Sequence, residues 1–501
     1  MNFIIIDQTI FRPLIQYSNH WQMWKKLVKL SFLLTIIVLA CKIALSYHER
    51  ESFGRNLSGL SSNLLTLKDE YNLISTLQQR FTPNRKCKNL VDNNADNDEE
   101  KFITYLPHSG FHNQRIALEN AIFIAWYTNR TLIVPPVILG KKIAWIKNPK
   151  LSNNLAKLNA TKNLDECHSF PARSLRYERC IKGYNAYTLF PWDKLMDLGS
   201  IRNHISIINR QDFNPQDLYK LINITDPTEE VYYVKEKSRY DIQFYDQDGA
   251  LNRKQNPKFE RQLPLCSLLN RKEKLVHFRS IFSSNRIKTS LYDNQIFREM
   301  VKKKLVFNHP ILTKVVKRIT RKLGGSEKYI GLHLRVGDNG YLDSKAELIR
   351  SMIKAIKNEE GINQESDNFN ETNNDNDGDD GIRKPTLSIN YIEKCANTRS
   401  LFIATDGKVS DPVIQPIFTT FPCTFTIKDF SDEIQLLKQA KNNVDNSSLY
   451  AYFLPMVDLM VSAHGSKFFG TYGSTFSAYA LRLHQVWIPD GTGKMISINQ
   501  G

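Results

Sequence analysis

The sequence predicts an α/β protein of two lobes with a cleft between them, on three observations. At 501 residues the chain exceeds what one ordinary core organises and suits two domains plus accessory segments. Its apolar fraction of 41% and charged fraction of 24% are those of a globular protein. Short strand-like runs alternate with helical stretches on both sides of Gly324-Gly325, the pattern of parallel sheets covered by helices.

The elements follow in order. Phe102–Leu106 reads as a strand, Ser109–Asn113 as a loop, Gln114–Tyr127 as a helix, and Thr131–Val134 as a strand closed by Pro135-Pro136. Residues 140–325 mix helical and loop-like stretches in no clear order and end in the amphipathic segment Ile311–Leu323. Beyond the double glycine, Tyr329–Leu334, Leu401–Ala404, Thr424–Ile427 and Lys467–Thr471 read as strands with helices between them. The expected division is an N-terminal Rossmann-like lobe over 101–325 and a C-terminal one over 326–501. The latter is interrupted at 359–380 by a stretch rich in Asp, Asn and Gly without Lys or Arg, read as a disordered insertion. Asp375, Asp377 and Asp379 alternate there, but the spacing of an EF-hand is incomplete, and no metal site is expected.

Ahead of the lobes, Leu30–Tyr47 is apolar apart from Lys42 and long enough for one transmembrane helix. Arg12, Lys25, Lys26 and Lys29 precede it, which places residues 1–29 in the cytosol and everything after 47 in a lumen. A cleaved signal ending near Ala44-Leu45-Ser46 is the competing reading. Residues 48–100 lack a core pattern and read as a stem. A type II protein of the Golgi or ER membrane follows, and the closing Ile498-Asn-Gln-Gly501 carries no ER-retrieval signal, which leans towards the Golgi. The six cysteines outside the apolar stretch suit an oxidising compartment, and sequence proximity favours the pair Cys167–Cys180. N-glycosylation patterns at Asn56, Asn129, Asn159, Asn223, Asn370 and Asn446 agree with secretory passage. A formal net charge of +17 is spread along the chain without the basic, aromatic-interleaved run of a nucleic-acid reader, so no nucleic-acid partner is expected. The same field suits a pyrophosphate.

Ligands of open α/β sheets sit beyond the carboxyl ends of the strands, and polar residues crowd three such ends. His108-Ser-Gly-Phe-His-Asn-Gln-Arg115 leads into a helix whose free amides suit an anion, with Gly110 permitting close approach. His333-Leu-Arg335-Val-Gly-Asp338 offers a guanidinium fork for phosphate, with Gly337 leaving room. Gly473-Ser474-Thr475-Phe476-Ser477 opens another helix with hydroxyls and amides. Each also has a structural reading: Gly110 as a turn, Arg335 as a surface partner of Asp338, and Ser474 or Thr475 as a helix cap.

Together and in this order, with Arg482 downstream, these motifs resemble the GDP-fucose protein O-fucosyltransferase superfamily over residues 101–490. The resemblance implies a GT-B-like fold, GDP-fucose as donor substrate with no cofactor and no obligatory metal, inversion at the sugar carbon, and a protein or glycan acceptor. Carried over by position, Arg335 would hold the β-phosphate and Asn113 would face the sugar and acceptor, the two forming the catalytic pair. Gly110, His333, Asp338, Ser474, Thr475 and Phe476 would shape the donor site, with Asp406 and Asp458 contacting guanine or closing the C-terminal lobe. For the base, His112 lies nearer the loop than Glu119, one turn deeper, and neither is singled out. Val336 stands where some members carry a second basic residue, so another nucleotide sugar is the alternative donor. A catalytically silent binder is the alternative to an enzyme.

Overall fold

The computed structural model describes residues 82–85, 87, 99–159, 164–247, 257–337, 344–361, 395 and 398–497. The apolar stretch 30–47, Asp338 and the acidic insertion beyond residue 361 lie outside them. No helix of the described residues is long and apolar enough to cross a membrane.

Two five-stranded sheets organise the chain. The first contains β1 (Phe102–Tyr105), β2 (Thr131–Val134), β3 (Ile207–Asn209), β4 (Val231–Val234) and β5 (Leu275–Phe278) in the order β3-β2-β1-β5-β4. The second contains β6 (Tyr329–Leu334), β7 (Ser400–Thr405), β8 (Thr424–Phe425), β9 (Lys467–Thr471) and β10 (Thr492–Ile496) in the order β8-β7-β6-β9-β10. Every pairing in both is parallel. This is why strands such as Thr-Leu-Ile-Val and Tyr-Ile-Gly-Leu-His-Leu are continuously buried rather than alternating: helices or neighbouring segments cover both faces. In the second sheet the strand order reverses once, between β6 and β9, and in the first the chain runs outward from β1 through β2 to β3, crosses to β4 and returns to place β5 beside β1. Crevices open at such switch points, and the three polar loops follow β1, β6 and β9.

Six helices position the cleft: α1 (Phe111–Thr128), α2 (Tyr292–Lys304), α3 (Pro310–Lys322), α4 (Lys345–Glu360), α5 (Tyr450–Ala463) and α6 (Thr475–Trp487). Helix α1 is buried from Gln114 to Thr128 except at Glu119, because it lies between the first sheet and α6 of the second half. Pro310 at its first turn, with the His309 imidazole accepting from Ile311 N, starts α3; Gly324 and Gly325, at φ of 87° and 102°, return its last amides to Arg321 and Thr320 and end it. Gly331 in β6 admits α5, since a Cβ there would lie 1.7 Å from the Ser462 carbonyl oxygen. The halves are further joined through a two-stranded antiparallel ribbon, Val137–Leu139 with Thr188–Phe190. Its Thr188 Oγ1 receives a hydrogen bond from Asn442 Nδ2 at 2.7 Å and donates to Asp445 Oδ2 at 2.9 Å.

The predicted strand and helix positions agree with these elements to within a few residues, with two differences of kind. Ile427, expected to end a strand, begins a 3-10 turn capped reciprocally by Thr426 and Asp429, and the edge strand Thr492–Ile496 is not among the predicted strands. Within 140–325 the order comes from β3, β4 and β5, which only their pairing in the sheet defines. Disulfides join Cys167–Cys180, Cys87–Cys266 and Cys395–Cys423. The first is the pair that proximity favours; the others need the fold to bring residues 179 and 28 positions apart together.

Candidate active site

The three polar loops meet in one cleft of about 490 Å³ between the halves. Its walls are Ser109–Asn113, Lys142–Ala144, Arg335 and Gly473–Phe476. Helices α1 and α6 both begin at this cleft, and the first-turn amides of a helix have no partner within it, so both halves direct backbone donors and partial positive charge inwards. Gly110 is the residue before α1, and the space a Cβ would take there is empty, so its missing side chain widens the cleft. Ser109 holds φ at +67° and its amide donates to the Ile143 carbonyl at 2.5 Å, which brings the Lys142 segment onto the rim. Among the described residues, no carboxylate lines this cleft.

Arg335 is held from behind. Its guanidinium pairs with Asp406 at 2.8 Å, and the other Asp406 oxygen accepts the amides of Val336 and Gly337, each at 2.9 Å. The Arg335 amide donates to Thr471 Oγ1 at 3.0 Å, and that hydroxyl donates to the His333 carbonyl at 3.2 Å. Asp406 is not among the cleft's lining residues; of its two expected roles, contacting guanine or closing the C-terminal lobe, its contacts are of the second kind, fixing the turn that presents Arg335. The expectation for Gly337 is corrected: a Cβ there would meet the Asp406 carboxyl at 2.9 Å, so the glycine makes room for Asp406, not for ligand. Val336 is fully buried in the second core, so its side chain points away from any donor.

His333 does not line the cleft but underlies it. Its ring stacks on Phe476 at 4.2 Å, and Nδ1 hydrogen bonds Ser477 Oγ at 2.5 Å. Burial, reinforced by Arg335, lowers its pKa to about 3, so it is a neutral prop for Phe476. Ser474 caps α6 by accepting from Ser477 N at 3.3 Å while also lining the cleft, so its structural and functional readings both hold. Thr475 is exposed on the rim, and Asn113 lines the cleft with its Oδ1 buried and unpartnered. Asp458 is not brought to the site: it lies on α5 with Oδ1 buried and unpartnered, and burial raises its pKa to about 8.

Beneath the cleft, charges from both halves interlock. Glu119 of α1 pairs with Arg115 one turn before it and with Arg482 of α6 at 2.5 Å. Both guanidiniums lie over the Tyr479 ring, at 4.0 and 4.8 Å. Burial pushes the Glu119 carboxyl up, but Arg115 and Arg482 more than offset this and hold it at about 2. Glu119 is accordingly a clamp and not a base. His112, edge-on to Phe476 at 5.3 Å and close to Tyr479, has its pKa driven well below the ordinary value by burial and then by Arg115, His333, Arg482 and Arg335. It is a neutral imidazole with Nδ1 buried and unpartnered.

An apolar chamber of about 330 Å³ adjoins the cleft and shares Gly110, Phe111, His112, Lys142 and Phe476 with it. Its far wall comes from Ile138, Leu139, Phe307 and the α5 residues Tyr452, Pro455, Met456 and Leu459. Lys142, Ile143 and this wall escape the sequence reading because they carry no motif. A lysine before two apolar residues signals nothing until the Ser109 bridge seats it on the rim.

Fold and cleft define a class: a two-lobed α/β protein whose helix N-termini and anchored arginine suit a diphosphate-bearing ligand. A profile of the GDP-fucose protein O-fucosyltransferase family matches residues 176–486, more than half the chain. The chain belongs to this family. O-fucosyltransferase 30 of Arabidopsis thaliana is 45% identical over 51 residues, an alignment spanning 10% of each protein. Among solved structures, POFUT1 in complex with GDP-fucose is 13% identical, covering 80% of this chain and 99% of that one, with a TM-score of 0.39. NodZ α-1,6-fucosyltransferase soaked with GDP-fucose is 11% identical, covering 77% and 93%, with a TM-score of 0.36.

Two titration outcomes follow. Because Glu119 is depressed from 4.5 to about 2, its contribution is complete above about pH 4.5 and disappears as pH falls through about 2. Glu119→Gln leaves two buried guanidiniums uncompensated and should cost about 3–5 kcal/mol at neutral pH by urea unfolding, with a flatter acid limb. Asp458 has the opposite sign: with its pKa raised from 3.8 to about 8, the native state loses stability as pH climbs between those values. Asp458→Asn should therefore be more stable than the parent at about pH 8 and indistinguishable from it near pH 4, as read by the thermal unfolding midpoint.

Proposed function

We propose that this protein is an inverting fucosyltransferase of GT-B architecture, moving fucose from GDP-fucose to a hydroxyl of a protein or glycan. The observation that carries this reading is the convergence of Arg335, Asn113 and Ser474 on one interlobe cleft. The donor's diphosphate lies against Arg335, Lys142 and the amides that open α1 and α6. As the bond between the sugar's anomeric carbon and the β-phosphate oxygen breaks, negative charge grows on GDP and positive character on the sugar. Fixed donors that need no reorganisation stabilise the first. Asn113 faces the sugar, and the acceptor oxygen attacks from the opposite face to form the new glycosidic bond.

The acceptor's proton needs a destination, and among the described residues the cleft offers no carboxylate. His112 takes it: the imidazole is neutral, and an incoming diphosphate offsets the cations that depress it. The reading extends to an N-terminal membrane anchor over 30–47 and a lumenal catalytic part in the Golgi or ER. Its support is the three disulfides and the exposed Asn129, Asn223 and Asn446, each in a left-handed turn at a glycosylation pattern.

GDP release from GDP-fucose tests the assignment. Arg335→Ala should lower turnover about 10²–10³-fold, the usual effect of removing one fixed donor to a developing anion. Turnover equal to the parent's sinks the site. His112→Gln should slow transfer about 10²-fold or more while GDP still raises the unfolding midpoint as in the parent. An unchanged transfer rate removes His112 as the base.

A further inference from the structure

A cleft of about 570 Å³, larger than the transfer cleft, lies on the second half where α3, α5 and the end of α6 meet. None of the donor motifs contributes to it. Trp487, the last residue of α6, packs on His464 with ring centroids 4.1 Å apart and planes tilted by 31°, and its half-buried indole forms part of the wall. The His464 Nδ1–H donates to the Met460 carbonyl at 2.8 Å. Burial lowers the ring's pKa, so the imidazole is neutral and its Nε2 is an unprotonated acceptor. Lys317 and Arg321, one turn apart and both exposed on α3, stand on the rim, and among the described residues no carboxylate lines the cleft.

Phe307 lines this cleft and also the apolar chamber that opens onto the transfer cleft. Helix α5 also lines both, through Met460 here and through Tyr452, Pro455, Met456 and Leu459 in the chamber, so these two hollows are neighbours on one helix and leave room for a ligand of more than one sugar. We propose that the α3–α5–α6 cleft is a second carbohydrate site, holding a uronic-acid-bearing stretch of a glycan. The sugar's C–H face packs on Trp487, one hydroxyl donates to His464 Nε2, and the carboxylates meet Lys317 and Arg321. The choice of a glycan rests on the transferase reading, whereas the cleft's charge and aromatic wall do not.

The test reads binding, so it separates from the fate of that reading. Fluorescently labelled hyaluronan hexasaccharide, cellohexaose and oligothymidylate are titrated against the full-length protein by thermophoresis. Hyaluronan should bind and cellohexaose should bind at least about tenfold more weakly, a difference of about 1.4 kcal/mol. Lys317→Glu with Arg321→Glu, and separately Trp487→Ala, should each weaken hyaluronan binding about tenfold or more, while GDP still raises the unfolding midpoint as in the parent. Arg335→Ala should leave hyaluronan binding unchanged. Equal binding of cellohexaose, equal binding by the double variant, loss of binding in Arg335→Ala, or oligothymidylate binding with the same sensitivity to the double variant each overturns the proposal.

Discussion

The buried clamp of Arg115, Glu119 and Arg482 is the interaction on which the geometry of the cleft depends. Glu119 belongs to α1 of the first half and Arg482 to α6 of the second, and each lies about two turns from the cleft end of its helix. Joining the helices at that depth sets how their N-termini face one another, and those N-termini are the cleft's two walls. The cluster carries two guanidiniums against one carboxylate, so it leaves a net positive charge directly below the anion site. Buried charges of this kind contribute little net stability, because desolvation offsets their attraction. Their effect here is on orientation and local field.

Burial, together with the neighbouring cations, divides the labour among the titratable groups. Glu119 is locked as a carboxylate, His333 is locked neutral beneath Phe476, and His112 is kept neutral at the junction of the cleft and the apolar chamber. On the proposed reading, a diphosphate arriving beside this neutral imidazole raises its proton affinity. Arg335 follows the same logic of prior fixation. The side-chain oxygens of Asp406 and Thr471 accept the backbone amides of its turn, so the guanidinium is placed before the leaving group develops charge.

The parallel sheets explain why the loops that matter are those after β1, β6 and β9. Strands β6 and β9 flank the reversal of strand order in the second sheet and β1 is the central strand of the first, so all three loops leave from the middle of a carboxyl edge, where ligands of such sheets sit. Close packing elsewhere keeps that edge rigid. Gly331 lets α5 rest on the middle of β6, and α5 in turn supplies the wall of the apolar chamber.

Local signals were enough to reach the α/β class, the positions of most central strands, the three polar loops and the Cys167–Cys180 pair. Each is written in apolar runs, in a helix opening after a glycine or serine, or in cysteines close in sequence. The roles of Asp406, Gly337, Glu119, Asp458 and Lys142, and the order of the strands between 140 and 325, emerge only on folding. A carboxylate's role depends on which cation or amide it meets, and Asp406 meets its amides from 69 and 70 residues away. Short strands such as Ile207–Asn209 carry too few residues to show a period, so only pairing with β2 defines them. Convergence of Asn113, Arg335 and Ser474 is a property of two chain halves folded against each other, and no local pattern encodes it.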